Sequence, residues 1–266
     1  MGTFLPARPM RRLVPFLALA AFVLAGCGGP RAIVGSPVVP VRVGPANAYL
    51  LLGTRPVIVD PGGPGHVDAL REALAARDFA PSDVALIVLT HGHADHAGAA
   101  DAWARLSGAP VVAGAADTAM LAAGDHGALR PMGLEARLIR PFIGATFPPV
   151  RADRVLAPGD TLDLRPFGLT GSVRTWPGHT GGSLVVVFDG AAGREAVVGD
   201  LFRGGAMGGR IRPSVPHRHY FHEDADAAEA AVPALLADGV ACFYLGHGGP
   251  VDASAARRRF SAAQAR

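Results

Sequence analysis

Lysine is absent from this chain of 266 residues, and all 25 basic residues are arginine. Because alanine and glycine are abundant as well, the absence indicates genomic base bias rather than function. Cysteine is nearly absent, since Cys27 and Cys242 are the only two. Two cysteines exclude a disulfide framework. Half of the residues are hydrophobic, which is enough for a full core in one large domain or two small ones.

An excess of charge is also missing from the expected mature chain. The formal net charge of the whole sequence is +3, but Arg8, Arg11 and Arg12 lie in a leader that we expect to be removed. Removing these three from 25 leaves 22 arginines against 22 acidic residues, because residues 1–26 contain no acid. A neutral chain gives no reason to expect nucleic acid as a partner.

The N-terminal segment has the pattern of a signal peptide. Its arginines precede an apolar run, Leu13 to Leu24, which is too short to cross a bilayer as a helix. The following Leu24-Ala25-Gly26-Cys27 resembles the bacterial lipobox, which implies cleavage before Cys27 and a diacylglycerol on its sulfur. The alternative is an ordinary secretory signal with an incidental cysteine.

We therefore expect three parts: a signal peptide at 1–26, a tether at 27–37 and a single domain at 38–266. The resemblance implies an exported protein that is anchored to the bacterial cell envelope by lipid, so that the membrane is one of its partners. Gly28 after the cysteine, in place of Asp, favours the outer membrane and a domain that faces the periplasm. Cys242 lies in an apolar run and is interpreted as a buried core thiol rather than a nucleophile.

The motif that carries most information is Thr90-His91-Gly92-His93-Ala94-Asp95-His96. It follows the apolar run Val84 to Leu89, which predicts a buried strand. The cluster is therefore expected where that strand ends, as α/β folds usually place their chemistry. Imidazole nitrogen and carboxylate oxygen are ligands that Zn²⁺ takes. Three further residues stand beside glycine at or after apolar runs: His179, Asp200 and His247.

The motif His-x-His-x-Asp-His, followed in order by His, Asp and His, resembles the metallo-β-lactamase-fold hydrolases from about Val38 onward. The resemblance implies an α/β (α+β) fold, a four-layer αβ/βα sandwich with a two-metal site on one edge. It implies seven metal ligands: His91, His93 and His179 for the first metal, Asp95, His96 and His247 for the second, and Asp200 as the bridge. Two such metals would share a hydroxide nucleophile. Asp95 would take a proton or orient the hydroxide. Zinc suits the nitrogen-rich site, while iron or manganese also suits mixed N/O ligands.

An aspartate at position 200 resembles the glyoxalase II and acyl-homoserine lactonase branches, whereas true β-lactamases carry Cys or Ser there. Arg203 stands where the lactonases carry tyrosine, and the basic C-terminal region of glyoxalase II is not evident. We therefore predict hydrolysis of a small-molecule carboxylic ester, lactone or thioester by a metal-bridging hydroxide. The alternatives are a mononuclear iron sulfur dioxygenase, for which His247 is superfluous, a β-lactam hydrolase, or a non-catalytic lipoprotein. The oligomeric state is not predicted.

Hydrophobic patterning predicts strands at 38–43, 47–52, 57–59, 84–89, 110–113, 160–164, 169–175, 184–188, 196–199 and 241–245, and helices at 67–76, 99–106, 115–122, 225–236 and 253–265. The irregular stretch 124–153 is the expected wall of the substrate pocket, through its apolar residues Leu134, Leu138, Ile139, Phe142, Ile143 and Phe147. His126 within it is interpreted as a surface residue. Asp60 is either a residue that holds a ligand loop by hydrogen bonds or part of a plain turn.

The segment 202–219 is rich in glycine and arginine and is predicted to be a mobile loop. Its three arginines, Arg203, Arg210 and Arg212, would contact a carboxylate or carbonyl of the substrate if they faced the pocket. We expect them to be solvated instead, so an apolar acyl pocket is favoured. The histidines His217, His219 and His222 are interpreted as pocket lining or surface rather than as a further metal site.

Overall fold

The computed structural model of the chain describes residues 33–260. The predicted signal peptide, Cys27 and most of the predicted tether lie outside the described residues. Among the residues from 33 to 260, no helix is long and apolar enough to span a membrane.

The first of two six-stranded sheets is built almost wholly from the N-terminal half. Its strands lie in chain order: β1 (Val38–Val43), β2 (Ala46–Leu52), β3 (Pro56–Val59), β4 (Leu86–Val88), β5 (Val111–Gly114) and β6 (Arg154–Leu156). β1, β2 and β3 are antiparallel, and β3 to β6 run parallel, with Ile58 opposite Ile87. Strands β3, β4 and β5 are buried along their whole length. Burial on both faces explains why they read as continuous apolar runs rather than as alternating patterns.

The second sheet has the spatial order β14-β13-β10-β9-β8-β7. Its strands are β7 (Thr161–Asp163), β8 (Gly171–Thr175), β9 (Leu184–Gly190), β10 (Gly193–Val197), β13 (Val240–Tyr244) and β14 (Val251–Asp252). All of its pairs are antiparallel except β10 with β13. Strands β11 (Arg203–Ala206) and β12 (Ile211–His217) form a separate hairpin.

Helices cover the outer face of each sheet. The helices are α1 (Val67–Ala75), α2 (Ala94–Ala97), α3 (Ala100–Ser107), α4 (Thr118–Ala123), α5 (Leu134–Ile139), α6 (Ala225–Ala237) and α7 (Ala253–Phe260). Leu70 and Trp103 belong to the core on the outer side of the first sheet, and Val232 to the core on the outer side of the second. Between the sheets lies a third core, which includes Val59 and Phe188. The predicted four-layer sandwich is confirmed.

Cys242 lies in the core between the sheets. Burial raises the pKa of its thiol to about 12, so the thiol stays protonated and unreactive at neutral pH. The interpretation of Cys242 as a core thiol is confirmed.

The predicted loop at 202–219 is the clearest error of the sequence-based assignment. Most of it forms the β11–β12 hairpin, in which Arg203 pairs with His217 and Ala206 with Ile211. The register shifts between Gly204 and Ala206, and Gly205 has a φ of 66°. A glycine in this conformation forms a bulge that keeps the two strands paired. Strand β6 was also not predicted, because two of its three residues are exposed and it lacks an apolar run.

Candidate metal centre

The loops that follow several strands meet at one edge of the sandwich. Asp60 follows β3, the segment from His91 to His96 follows β4, and His179 lies on the loop after β8. Asp200 and His247 follow the parallel pair β10 and β13. Because the carboxyl ends of parallel strands share an edge, residues far apart in sequence come together there.

Four of the predicted ligand histidines converge on the carboxylate of Asp200. The Oδ2 atom of Asp200 lies 3.8 Å from Nε2 of His91, 3.5 Å from Nε2 of His96, 3.6 Å from Nε2 of His179 and 3.5 Å from Nε2 of His247. All five side chains are buried or nearly so. Asp200 is therefore the centre of the cluster, which is the position that a bridging ligand needs.

The other two predicted ligands complete the cluster. Oδ2 of Asp95 lies 3.2 Å from Nε2 of His247, and Nδ1 of His93 lies 3.0 Å from Nε2 of His179. The ligand atoms of His91, His93 and His179 lie within 4.8 Å of one another, and so do those of Asp95, His96 and His247. The structure thus brings all seven predicted residues together in the two predicted groups, while their binding of metal stays a prediction.

The chemistry of these side chains fits divalent cations. Nε2 of His91, Nε2 of His96 and Oδ1 of Asp200 are buried and have no hydrogen-bond partner. Leaving such atoms unpaired costs free energy, so they are rare unless a ligand satisfies them. Several unpaired nitrogen and oxygen atoms that point at one small volume are the donor set of a zinc-type site.

Hydrogen bonds behind the ligands orient their rings. Asp60 accepts from the backbone N–H of Thr90 at 2.7 Å and from its hydroxyl at 2.6 Å, and its Oδ2 lies 2.9 Å from Nδ1 of His96. Nδ1 of His91 lies 3.1 Å from the hydroxyl of Thr90, and Nδ1 of His247 lies 3.0 Å from the carbonyl of Pro45. When each Nδ1–H donates in this way, Nε2 is left free to bind a metal. The first interpretation of Asp60, as a residue that holds the ligand loop, is confirmed.

Asp117 is a site residue that the sequence analysis missed. Its buried carboxylate accepts from the N–H of Gly92 at 2.8 Å, from the hydroxyl of Thr180 at 2.8 Å and from the N–H of Gly182 at 2.9 Å. It therefore ties the loop of His91 and His93 to the loop of His179. A signal was present, because Asp117 comes shortly after β5 just as Asp60 comes after β3.

Gly246 allows the His247 loop to lie against the cluster. A Cβ at this position would lie 2.0 Å from Oδ1 of Asp200 and 2.5 Å from Cε1 of His96. Its N–H also donates to the carbonyl of Gly199 at 2.8 Å, which fixes the loop next to Asp200. A side chain here would push the carboxylate of Asp200 out of place.

Burial and charge divide the histidines into two classes. Burial lowers the pKa of His91 and His179 well below the ordinary value, and that of His93 to about 4. Burial also opposes the charged form of His247, but the carboxylates of Asp200 and Asp95 raise its pKa to about 10. At neutral pH without metal, His247 therefore carries a proton that a metal must displace.

A cavity of about 500 Å³ opens from the cluster. Its lining includes Asp95, Asp200 and His247 of the cluster, together with the apolar residues Leu129, Ile139, Phe142, Ile143 and Phe221. The prediction that the segment 124–153 forms the pocket wall is therefore confirmed only in part. Leu134 is 73% exposed, Leu138 is 64% exposed, and Phe147 packs into the core behind the first sheet. The interpretation of His126 as a surface residue rather than a ligand holds in part. His126 is partly buried, lines the cavity and accepts through Nδ1 from the N–H of Ala94 at 3.1 Å, and it is in none of the groups that could hold a metal among the described residues.

The arginines of the hairpin have three different environments. Arg203 is buried, its guanidinium lies 3.9 Å from the ring centroid of Tyr220, and its Nη2 lies 3.6 Å from Glu135. The prediction of a solvated Arg203 is therefore wrong. Arg210 lines the cavity, and Arg212 is exposed outside it.

The three histidines near the end of the hairpin also differ from one another. His217 is exposed, whereas His219 and His222 are buried. Both buried rings lie against the ring of His179, with centroid distances of 4.8 Å for His219 and 5.4 Å for His222.

Comparison with known proteins agrees with this geometry. Metallo-beta-lactamase domain-containing protein 1 of Rattus norvegicus is 60% identical to the chain over 43 residues, 16% of this chain and 17% of that protein. An uncharacterized protein of Mycobacterium tuberculosis is 35% identical over 143 residues, 52% of this chain and 58% of that protein. In both cases the match covers less than two thirds of the relative's length.

Solved structures share the fold over most of the chain. The Rm3 metallo-beta-lactamase has a TM-score of 0.64 at 20% identity and covers 91% of this chain and 94% of its own. The MIM-2 metallo-beta-lactamase has a TM-score of 0.62 at 24% identity and covers 91% of this chain and 87% of its own. The sequence profile of the metallo-beta-lactamase superfamily matches residues 41–247, from β1 to the last predicted ligand. The chain belongs to the metallo-β-lactamase superfamily.

Proposed function

We propose that this protein is a binuclear metal-dependent hydrolase that cleaves a carboxylic ester, lactone or thioester with an apolar acyl group. The observation that carries the proposal is the cavity of about 500 Å³, which is lined both by four of the seven converging side chains, His93, Asp95, Asp200 and His247, and by apolar residues. This volume lies within the range of small-molecule sites. Membership of a superfamily made up mostly of metal-dependent hydrolases supports the reaction class.

In this proposal the two groups of ligands hold two divalent metals. His91, His93 and His179 would hold the first, Asp95, His96 and His247 would hold the second, and Asp200 would be shared between them. Zinc is the expected metal, with iron and manganese as the alternatives. Such ions polarise a carbonyl and activate a water at neutral pH.

Asp95 is the ligand best placed to move a proton. Its side chain is 28% exposed and lines the cavity, whereas Asp200 is nearly inaccessible at 2%. Its carboxylate would orient the attacking water, take its proton and pass it to the leaving group. The imidazole of His247, 3.2 Å from Oδ2 of Asp95, fixes the direction of that carboxylate.

The apolar wall favours an acyl group over a charged one. Each methylene buried there would contribute up to about 0.8 kcal/mol, which is about fourfold in kcat/KM. Apart from the residues of the metal cluster, the charged side chains at the cavity are Glu135 and Arg210, whose opposite signs leave no net charge there. A neutral substrate with a good leaving group fits this lining best.

A β-lactam hydrolase is the second candidate. The solved structures that share the fold include the Rm3 and MIM-2 proteins, which are named metallo-beta-lactamases. Arg210 at the cavity would bind the carboxylate that β-lactam antibiotics carry. Both candidates use the same metal site and differ in the substrate that they bind.

One panel of substrates separates these functions. Metal-replete protein is assayed with p-nitrophenyl esters of increasing acyl length, acyl lactones, thioesters and a chromogenic cephalosporin. We expect kcat/KM to rise with acyl length, and Ile139→Ala to flatten the rise because Ile139 lines the cavity. Leu134→Ala, on the same helix but facing solvent, is the matched control and should keep the slope.

The remaining outcomes would redirect the assignment. Turnover of the cephalosporin alone would establish the second candidate. Oxygen consumption by a protein with one iron would favour the sulfur dioxygenase alternative. Failure to cleave any ester, lactone, thioester or β-lactam with two metals bound would remove the hydrolase proposal.

A further inference from the structure

We propose that His219 is an additional metal ligand next to Asp200. This inference rests on the proposed metal site. His219 is buried, and its Nε2 lies 3.2 Å from Oδ2 of Asp200. This is the shortest of the distances between Asp200 and a histidine nitrogen. The ligand atoms of His179, Asp200 and His219 all lie within 4.8 Å of one another.

The ring of His219 stands between two of the predicted ligands. It is stacked on His247, with centroids 5.5 Å apart and planes at 23°, and it meets His179 edge-on at 4.8 Å. Its Nε2 is buried and makes no hydrogen bond, even to the nearby carboxylate of Asp200. An unpaired nitrogen aimed at a carboxylate and two imidazoles is the arrangement that a shared cation would satisfy.

The opposite side of the ring permits this role. Nδ1 of His219 lies 3.2 Å from the carbonyl of Phe221 and 3.3 Å from the N–H of the same residue. If Nδ1–H donates to the carbonyl, Nε2 keeps its lone pair for a metal. If Nδ1 accepts from the N–H instead, Nε2 carries the proton and would donate to a substrate oxygen. The lack of a hydrogen bond to Asp200 favours the first arrangement.

Neighbouring residues hold this segment in place. The carbonyl of Tyr220 accepts from the N–H of Met132 at 2.7 Å, and Phe221 pairs with Pro131 in an isolated bridge. The hydroxyl of Tyr220 donates to Glu135 at 2.7 Å. His219 therefore belongs to a part of the fold that is fixed before any metal binds, which lowers the cost of using it as a ligand.

An eighth donor changes which metal the site prefers. If Asp200 contacts both metals, the metal that also takes His219 would have five protein ligands, one more than a tetrahedral zinc site holds. A higher coordination number suits iron or manganese better than tetrahedral zinc. We therefore expect His219 to increase the affinity of the site for these metals more than for zinc.

Metal binding without substrate tests the proposal. Full-length wild type, His219→Ala and His219→Gln are stripped with a chelator and titrated with Co²⁺, Mn²⁺ and Zn²⁺ in competition with a chromophoric chelator. We expect His219→Ala to weaken binding of one of two ions by roughly 10- to 100-fold. The visible Co²⁺ bands should become more intense as a ligand is lost. His217→Ala, two residues away and exposed, should behave as wild type.

Unchanged affinities and Co²⁺ bands in a folded His219→Ala protein would overturn the ligand assignment. If kcat/KM fell in His219→Ala and was restored in His219→Gln, His219 would be assigned as a hydrogen-bond donor to the substrate instead of a metal ligand. Should both variants fail to fold, a crystal structure of the metal-loaded wild type decides: Nε2 of His219 is expected about 2.0–2.2 Å from a metal, and a His219 ring turned away from both metals would reject the assignment. Absence of hydrolysis with these metals bound would reject the proposed function and leave the ligand assignment standing.

Discussion

Asp200 connects more of the centre than any other residue that the structure describes. Including His219, five imidazole nitrogens lie between 3.2 and 3.8 Å from its Oδ2. Its Oδ1 is buried without a partner and lies beside Gly246. Small changes next to this carboxylate should therefore affect the whole metal site.

Gly246→Ala tests this sensitivity. The added methyl would overlap Oδ1 of Asp200, so we expect a loss of bound metal and about 1–3 kcal/mol less stability of the metal-free fold. Metal content by elemental analysis and chemical denaturation measure the two effects. Gly144→Ala is the matched control, because a Cβ there meets nothing within 4 Å and its φ is not positive. Equal metal content in the two variants would contradict the proposed placement of Asp200.

The hairpin of β11 and β12 forms part of the cavity wall. The guanidinium of Arg203 packs against the ring of Tyr220, and the hydroxyl of Tyr220 donates a hydrogen bond to Glu135 of α5. The hairpin and the segment 124–153 therefore support each other. Arg210, at the turn of the same hairpin, faces the cavity. The two arginines should therefore have separable effects.

Arg203→Met should lower stability and Arg210→Ala should change substrate preference. Loss of the cation–π contact with Tyr220 and of the ion pair with Glu135 is expected to cost about 1–3 kcal/mol of unfolding free energy. Arg210→Ala should raise KM for anionic substrates and leave neutral esters unchanged. Thermal denaturation measures the stability of Arg203→Met, and steady-state kinetics measure the KM values of Arg210→Ala. The exposed Arg212→Ala is the control for both. A folded Arg203→Met protein of wild-type stability, with a KM effect on anions, would instead place Arg203 at the substrate.

Elements that have a strong pattern could be predicted from the sequence. The apolar runs predicted the central strands, because these strands are buried on both faces. The histidine motif predicted the edge of the sandwich at which the site lies. The hairpin could not be predicted, since its glycines, arginines and prolines have no strand pattern and its pairing depends on a bulge. Asp117 was missed as a site residue for a related reason, because it joins loops that meet only in the folded chain. His219 was expected at the pocket or the surface, and it lines the cavity. Its short distance to Asp200 appears only in the folded chain.

The location of the whole molecule depends on Cys27, outside the described residues. If the lipobox is used, two or more acyl chains anchor the protein stably, whereas one chain binds marginally. We expect Cys27→Ser to move the protein from the membrane fraction to the soluble fraction. Cell fractionation with mass spectrometry of the N-terminus measures this. Wild-type protein that is already soluble and carries no lipid would reject the lipoprotein prediction.

Metal affinity should increase with pH across the neutral range. Because the pKa of His247 is raised to about 10, this histidine is protonated at pH 7 in the metal-free protein and must release its proton on binding. Affinity should therefore rise by up to about tenfold per pH unit for each proton released, and fall as pH decreases. Calorimetry in buffers of different ionisation enthalpy counts the protons. Metal binding at pH 7 with no proton release would contradict the charge state assigned to His247.

The number of metals bound per chain is the most direct test of the account. Elemental analysis of the purified full-length protein under metal-replete conditions should give about two metals per chain, and Asp200→Ala should reduce the number and abolish hydrolysis. A folded wild-type protein that saturates at one metal, with one of the two ligand groups left empty in a crystal structure, would contradict the binuclear centre.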